Sequence, residues 1–179
     1  MNIRHVCVFC GSRKGTNPAH TYFARKLGTS LARENIGLIF GGGSVGLMNE
    51  VANAVIENGG HTHGVIPNHL KRPERTHTGV AQLEVTDTMH ERKAKMSALC
   101  DAYVALPGGF GTFEELLEVI TWAQLELHAK PVILANVDGY YDQLISFIDH
   151  AVEAEFVTPK NRRLLKTATT VEQCMQHLK

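Results

Sequence analysis

Short apolar runs alternate with longer stretches of helical periodicity along the chain, and this alternation sets the first expectations. Arg4 to Cys10 reads as a buried strand that stops at Gly11-Ser12 and a polar loop through Pro18. Tyr22 to Glu34 carries apolar residues at helical spacing, and Gly37 to Phe40 is a short second strand. Gly41-Gly42-Gly43-Ser44 then leads into a helix from Val45 to Glu57, which Gly59-Gly60 closes before a third strand, His61 to Ile66. From Pro67 to Thr86 the periodicity fades around one short strand, Gln82 to Val85, and connections of this length are often functional. Thr88 to Leu99 is predicted helical and Ala102 to Leu106 is a strand. The helix after it is expected to bury Phe113, Leu116, Leu117, Ile120 and Leu127. Pro131 to Ala135 is another strand, Tyr140 to Glu153 a helix, Leu165 to Thr167 a last strand and Thr170 to Leu178 a terminal helix.

Strands that alternate with helices predict an α/β fold with a mostly parallel, doubly wound sheet of Rossmann-like type. The 179 residues read as a single domain over 1–179 with no internal repeat, long enough to bury roughly two thirds of the unfolded surface. Lys+Arg and Asp+Glu balance at 18 each, which disfavours a nucleic-acid groove or an anionic membrane as partner and leaves a small ligand. With no apolar run of about 18 residues and no signal-peptide pattern after Met1, a cytoplasmic protein is expected. Cys7, Cys10, Cys100 and Cys174 do not form a disulfide framework. Cys7 and Cys10 make a C-x-x-C inside the first strand, where they face opposite sides rather than one redox site. His61 and His63 would share a strand face, but no further ligand joins them, so no metal site is expected.

The densest candidate chemistry lies where the Ala102–Leu106 strand runs into Pro107-Gly108-Gly109-Phe110-Gly111-Thr112-Phe113-Glu114-Glu115. The glycines free consecutive N–H groups to face an anion, and the helix that follows adds its positive end. A phosphate held at the carboxyl end of a strand fits this pattern. The same residues also match a capping box, with Thr112 as N-cap and Glu115 reaching back to it. The turn is neither G-x-G-x-x-G nor a P-loop, and its two carboxylates would repel a phosphate unless they serve a cation that forms during reaction. The Gly41-Gly43 turn is expected to line the same crevice. In the Thr88–Leu99 helix, Met89, Met96 and Leu99 mark an apolar face whose intervening slots hold Arg92 and Lys93. Either the helix is rotated and both charges are solvated, or the broken rule marks a functional site.

Pro107 to Glu115 resembles the PGGxGTxxE signature of the Lonely Guy family of cytokinin-activating phosphoribohydrolases, and Met89-His90-Glu91-Arg92-Lys93 is similar to its second signature. The similarity runs from Cys10-Gly11-Ser12 to Tyr140-Tyr141. The resemblance implies hydrolysis of the N-glycosidic bond of N6-modified adenosine 5′-monophosphates, with Arg92 and Glu115 as the catalytic pair. Glu115 would stabilise the oxocarbenium-like centre and orient or deprotonate water, while Arg92 would hold substrate oxygens or Glu115 itself. Substrate contacts would come from Gly108, Gly109, Phe110, Gly111, Thr112, Phe113 and Glu114 of the turn, together with Lys93, Thr121 and Glu74. Gly11, Ser12, Gly41, Gly42, Gly43 and Met48 would wall the pocket. No cofactor or metal is implied. A homodimer is, with Thr121-Trp122-Ala123-Gln124 as a candidate contact. Phe110 stands where the family often has tyrosine, and Thr88 where an acidic or small residue is common. Two other readings stay open: a housekeeping nucleosidase for ordinary purine or pyrimidine nucleoside 5′-monophosphates, AMP nucleosidase-like, and a non-enzymatic nucleotide or cofactor carrier on the same fold, as in molybdenum-cofactor storage. A lysine decarboxylase label is also attached to this superfamily, but no pyridoxal-binding lysine is identifiable.

Overall fold

A computed structural model describes residues 3–179. Seven strands form one sheet in the order β4-β3-β2-β1-β5-β6-β7, and every neighbouring pair is parallel. In chain order they are β1 (His5–Phe9), β2 (Gly37–Phe40), β3 (Thr62–Pro67), β4 (Gln82–Thr86), β5 (Ala102–Ala105), β6 (Val132–Ala135) and β7 (Leu165–Ala168). Between and after them run helices α1 (Pro18–Arg33), α2 (Gly46–Glu57), α3 (Met89–Leu99), α4 (Phe110–Gln124), α5 (Asp142–Glu153), α6 (Pro159–Arg162) and α7 (Val171–His177).

Each central strand is buried on both faces, so alternate residues feed two different cores. Val6, Val8, Leu38, Phe40, Val104 and Ile133 pack with residues of α1, α2 and α7. Cys7, Phe9, Ile39, Tyr103, Val132 and Leu134 pack with residues of α3 and α4 and with Tyr141. Cys7 and Cys10 accordingly sit in opposite cores, and all four cysteines are free thiols. The chain winds outward from β1 to β4, then returns to β5 at the other side of β1. This reversal opens a crevice beyond the carboxyl ends of β1 and β5, where ligands of such sheets bind.

Several boundaries differ from expectation for local reasons. Helix α1 starts at Pro18, four residues before Tyr22, because the Asn17 side chain accepts from the Ala19 N–H (2.9 Å) and Pro18 occupies the first helical position. Helix α5 starts at Asp142 rather than Tyr140, since Asp138 (φ 50°) and Gly139 (φ 73°) turn the chain sharply before it. Strand β3 begins at Thr62, so His61 lies outside it, and His63 stands 3.4 Å from Glu84. Among the described residues no cluster of three metal-ligating side chains occurs. The capping box expected at Thr112 is not formed: α4 opens at Phe110 with Gly109 as N-cap, which places Thr112 inside its first turn. A capping box is present instead on α3, where Thr88 and Glu91 exchange the two bonds. The buried stripe of α4 runs through Thr112, Glu115, Leu116, Val119 and Ala123. Leu117 falls beside that stripe and is 47% exposed, while Leu127 lies past the helix end and is 70% exposed.

Candidate active site

Three loops interlock at the crevice. The Gly11 N–H donates to the Pro107 carbonyl (3.0 Å) and the Leu47 N–H to the Gly11 carbonyl (3.0 Å), joining the loops after β1, β2 and β5. A Cβ on Gly108 would collide with the Thr112 hydroxyl and would meet the Gly11 nitrogen at 2.9 Å, so only glycine permits this packing. The Gly41–Ser44 turn is covered in turn by the connection after β3. His77 N–H donates to Gly42 O (2.9 Å) and Ser44 N–H to Arg75 O (2.9 Å). Gly42 itself has φ 71°, and Met48 packs beside Gly41 and Gly43.

Arg92 enters this assembly from α3. It and Met96, one turn later, are the buried residues of that helix, so the irregular slot in the apolar stripe points inward. The guanidinium donates through Nε to the Val65 carbonyl (3.1 Å) and through Nη1 to Glu115 Oε1 (3.0 Å). Its Nη2 lies where a side chain on residue 41 would be, which makes glycine at Gly41 a requirement of the buried arginine. Arg92 is 9% and Glu115 8% exposed. Burial pushes the Glu115 carboxyl above its ordinary value, and the Arg92 charge works against that push. Removing a buried pair from water is expensive, so the pair adds little net stability, and its place at the end of the sheet makes it a candidate site.

Helix α4 presents its first N–H groups with no side-chain cap, leaving a positive end open to an anion. Glycine is not needed at two positions of this end. A Cβ on Gly109 or on Gly111 would meet nothing within 4 Å, and neither has a positive φ. A cleft of about 610 Å³ lies against the turn, lined by Ser12, Arg13, Lys14, His20, Tyr140 and Phe110 among others. Phe110 is 91% exposed at its rim.

The pattern-based candidates thus separate into groups. Arg92, Glu115, Gly41 and Met48 meet on one side of the turn, and Gly11, Ser12, Gly108, Gly109 and Phe110 line the cleft on the other, with Gly111 and Thr112 between them. Lys93 is taken up by Glu114 and, at 3.0 Å, Glu118; burial alone would pull its ammonium down, but these hydrogen bonds more than offset it and the net shift is upward. Phe113 is half-buried and packs edge-on to Phe110 and Tyr141. Glu74 is exposed, and it is its backbone carbonyl that accepts from Ser44. Thr121 does not join the pair within this chain. It is exposed and donates to Leu117 O (2.7 Å), six residues beyond Glu115 and so about 9 Å along α4 and facing another way. Pattern reasoning missed the Val65 carbonyl, which has no side-chain signal, and the cleft-lining Arg13, His20 and Tyr140.

Residues 48–178 match the sequence profile of a family described as possible lysine decarboxylase. A probable cytokinin riboside 5′-monophosphate phosphoribohydrolase of Oryza sativa subsp. japonica, LOGL6, is 50% identical over 98% of this chain and 70% of its own length. The cytokinin riboside 5′-monophosphate phosphoribohydrolase LOG3 of Arabidopsis thaliana is 49% identical over 98% of this chain and 81% of its own. The chain belongs to the Lonely Guy family. Its fold also recurs in the molybdenum cofactor binding protein of Rippkaea orientalis, with TM-score 0.74 and 24% identity over 98% of this chain and 95% of that one. At that identity the likeness is one of architecture, whereas the Lonely Guy relatives are about twice as similar in sequence over the same share of the chain.

Proposed function

We propose that the chain hydrolyses the N-glycosidic bond of N6-modified adenosine 5′-monophosphates, releasing the free cytokinin base and ribose 5-phosphate. The observation that carries this reading is the buried Arg92–Glu115 pair set one turn behind the uncapped amides of α4. Gly111 and Glu115 are four residues apart, hence on the same helix face and about 6 Å apart along the axis. A 5′-phosphate on the amides therefore brings the anomeric carbon of the same nucleotide to the carboxylate.

As the glycosidic bond lengthens, positive charge builds on the sugar carbon and ring oxygen and negative charge on the base. The Glu115 carboxylate faces the first of these, in a site where burial strengthens the attraction. Only its Oε1 is bonded to Arg92, so Oε2 is the oxygen that orients water and accepts its proton. Arg92 fixes Glu115 through Nη1 and is itself fixed by Val65 through Nε. Among the described residues Nη2 has no protein partner, and it is the donor left for a substrate oxygen or ring nitrogen.

The phosphate is the selectivity handle. Two charge-assisted hydrogen bonds of about 1.5–3 kcal/mol each predict that a cytokinin riboside 5′-monophosphate exceeds its nucleoside in kcat/KM by about 10²- to 10⁴-fold. Base release followed by chromatography, across N6-modified and plain adenosine 5′-monophosphates and their nucleosides, measures this. Equal kcat/KM for nucleotide and nucleoside would remove the turn from the reaction. Preference for plain adenosine 5′-monophosphate would favour the housekeeping nucleosidase.

A homodimer belongs to the same proposal. On the α4–α5 side Leu117, Leu125, Leu127 and Phe147 are exposed, and α5 has no fully buried residue although its Leu144, Ile145 and Ile148 pack toward the core. A second copy seated there would cover this face and lie over the exposed Thr121. Light scattering is expected to give the mass of two chains, and Leu125→Glu the mass of one. A single-chain mass for the unmodified protein contradicts the dimer.

A further inference from the structure

We propose that Tyr140 is a positioning residue for substrate phosphate, acting through the carbonyl of Gly108. The inference rests on the phosphate-binding part of the function proposed above. Every carbonyl from residue 106 to residue 109 has an assigned donor. Tyr141 Oη donates to Leu106 O (2.7 Å), Gly11 N–H to Pro107 O (3.0 Å), Tyr140 Oη to Gly108 O (2.6 Å) and Phe113 N–H to Gly109 O (3.0 Å). Among the described residues every peptide bond is trans. In a trans peptide the carbonyl and the following N–H point in opposite directions. Pinning the Gly108 carbonyl toward Tyr140 therefore turns the Gly109 N–H the other way, and pinning the Pro107 carbonyl does the same for the Gly108 N–H. Carbonyl oxygens repel a phosphate and amide hydrogens attract it, so the direction of these peptide planes decides whether the turn can hold an anion.

The two tyrosines differ in what their hydroxyls control. The peptide that follows Leu106 ends in Pro107, which has no N–H. Tyr141 thus orients no donor: it is buried, its backbone N–H is held by Asn136 Oδ1 (2.7 Å), and it serves packing. Tyr140 is partly exposed at the cleft, and its ring is held edge-on by His20 (centroids 5.4 Å apart). Asn17, the cap of α1, bonds to Asp138 Oδ2 (2.6 Å) and ties the corner that carries Tyr140 to the helix that carries His20. The hydroxyl is held at Gly108 by structure on both sides.

The test compares Tyr140→Phe with Tyr141→Phe by calorimetric binding of ribose 5-phosphate, which needs no turnover. Tyr140→Phe is expected to weaken ribose 5-phosphate binding about tenfold, one charge-assisted hydrogen bond misdirected, at unchanged Tm. In turnover the loss should fall on KM for the nucleotide, leaving kcat and the nucleoside kcat/KM near their original values. Tyr141→Phe is expected to lower Tm and leave the affinity in place. Unchanged affinity in Tyr140→Phe overturns the proposal, as does an equal loss in Tyr141→Phe or a failure of the unmodified protein to bind ribose 5-phosphate. Absence of base release from any nucleotide, with the binding difference intact, would overturn the hydrolase reading and leave this one standing.

Discussion

Glu115→Gln is expected to lower kcat on cytokinin riboside 5′-monophosphates by about 10²- to 10⁴-fold, the usual worth of a positioned general base, with the fold retained. The amide keeps an oxygen where Arg92 Nη1 now finds Oε1 at 3.0 Å, so the arginine is not stranded. It has lost the negative charge that faces the sugar and the basicity that takes a proton from water. Arg92→Ala is a different experiment, because it leaves a carboxylate buried without its cation, at about 3–5 kcal/mol of stability. The pH profile supplies an independent check on the same group. Glu115 acts ionised, and burial raises its pKa above the ordinary 4.5 despite Arg92. Activity is therefore present above that raised value and lost as pH falls through it, so the acid limb of kcat/KM, which reports the free enzyme, should lie above the usual glutamate range. In Arg92→Gln the opposing charge is gone and the residual activity should have its limb at higher pH still. Full turnover by a folded Glu115→Gln variant, or an acid limb at the ordinary glutamate position, would contradict the role given to this carboxylate.

How much of this was legible in sequence depends on what kind of interaction each part uses. The strands and the doubly wound character of the sheet were visible because Val6, Leu38, Val104 and Ile133 belong to short apolar runs bounded by turn residues, a signal carried by neighbours in the chain, whereas the strand order is set by pairings between distant segments. Periodicity showed Arg92 only as a fault in a helical stripe, and its pairing with Glu115 came from the family resemblance alone, since its partners Val65, Glu115 and Gly41 lie 27, 23 and 51 positions away. Thr112 and Glu115 illustrate the opposite failure. Their local spacing fits a capping box, yet the helix begins two residues before Thr112 and the carboxylate goes to a distant cation. A charged partner in a buried setting prevails over a local bond that is exposed and weak. Leu117 was misplaced because the buried arc of α4 is centred on Glu115 and Leu116, so a polar residue occupies a slot that periodicity reserves for an apolar one, and Leu127 because the helix ends at Gln124. Tyr140 gave no signal of its function at all, since a hydroxyl donating to a backbone carbonyl 32 residues away depends wholly on how the corner after β6 is folded.

Gly111→Ala is expected to separate stability from function. Gly111 is the second residue of α4, and a Cβ there meets no atom within 4 Å. Alanine loses less backbone entropy than glycine in a helix, so the substitution should raise stability by up to about 1 kcal/mol. Cα–Cβ bonds lean toward the helix N-terminus, which sends the new methyl group into the space in front of the first amides. A phosphate oxygen must approach those amides to about 2.9 Å, and the methyl group holds it off. Loss of two charge-assisted bonds corresponds to a rise in KM of about 10²- to 10⁴-fold, while Tm stays level or increases. Gly108→Ala should behave otherwise: its Cβ collides with the Thr112 hydroxyl in the free protein, so stability and binding are lost together. A Gly111→Ala variant with unaltered nucleotide KM would show that the open space beside this glycine is not where the phosphate goes. The contrast between two glycines of one turn, one required by the fold and one left vacant by it, is the most direct reading of where the ligand enters.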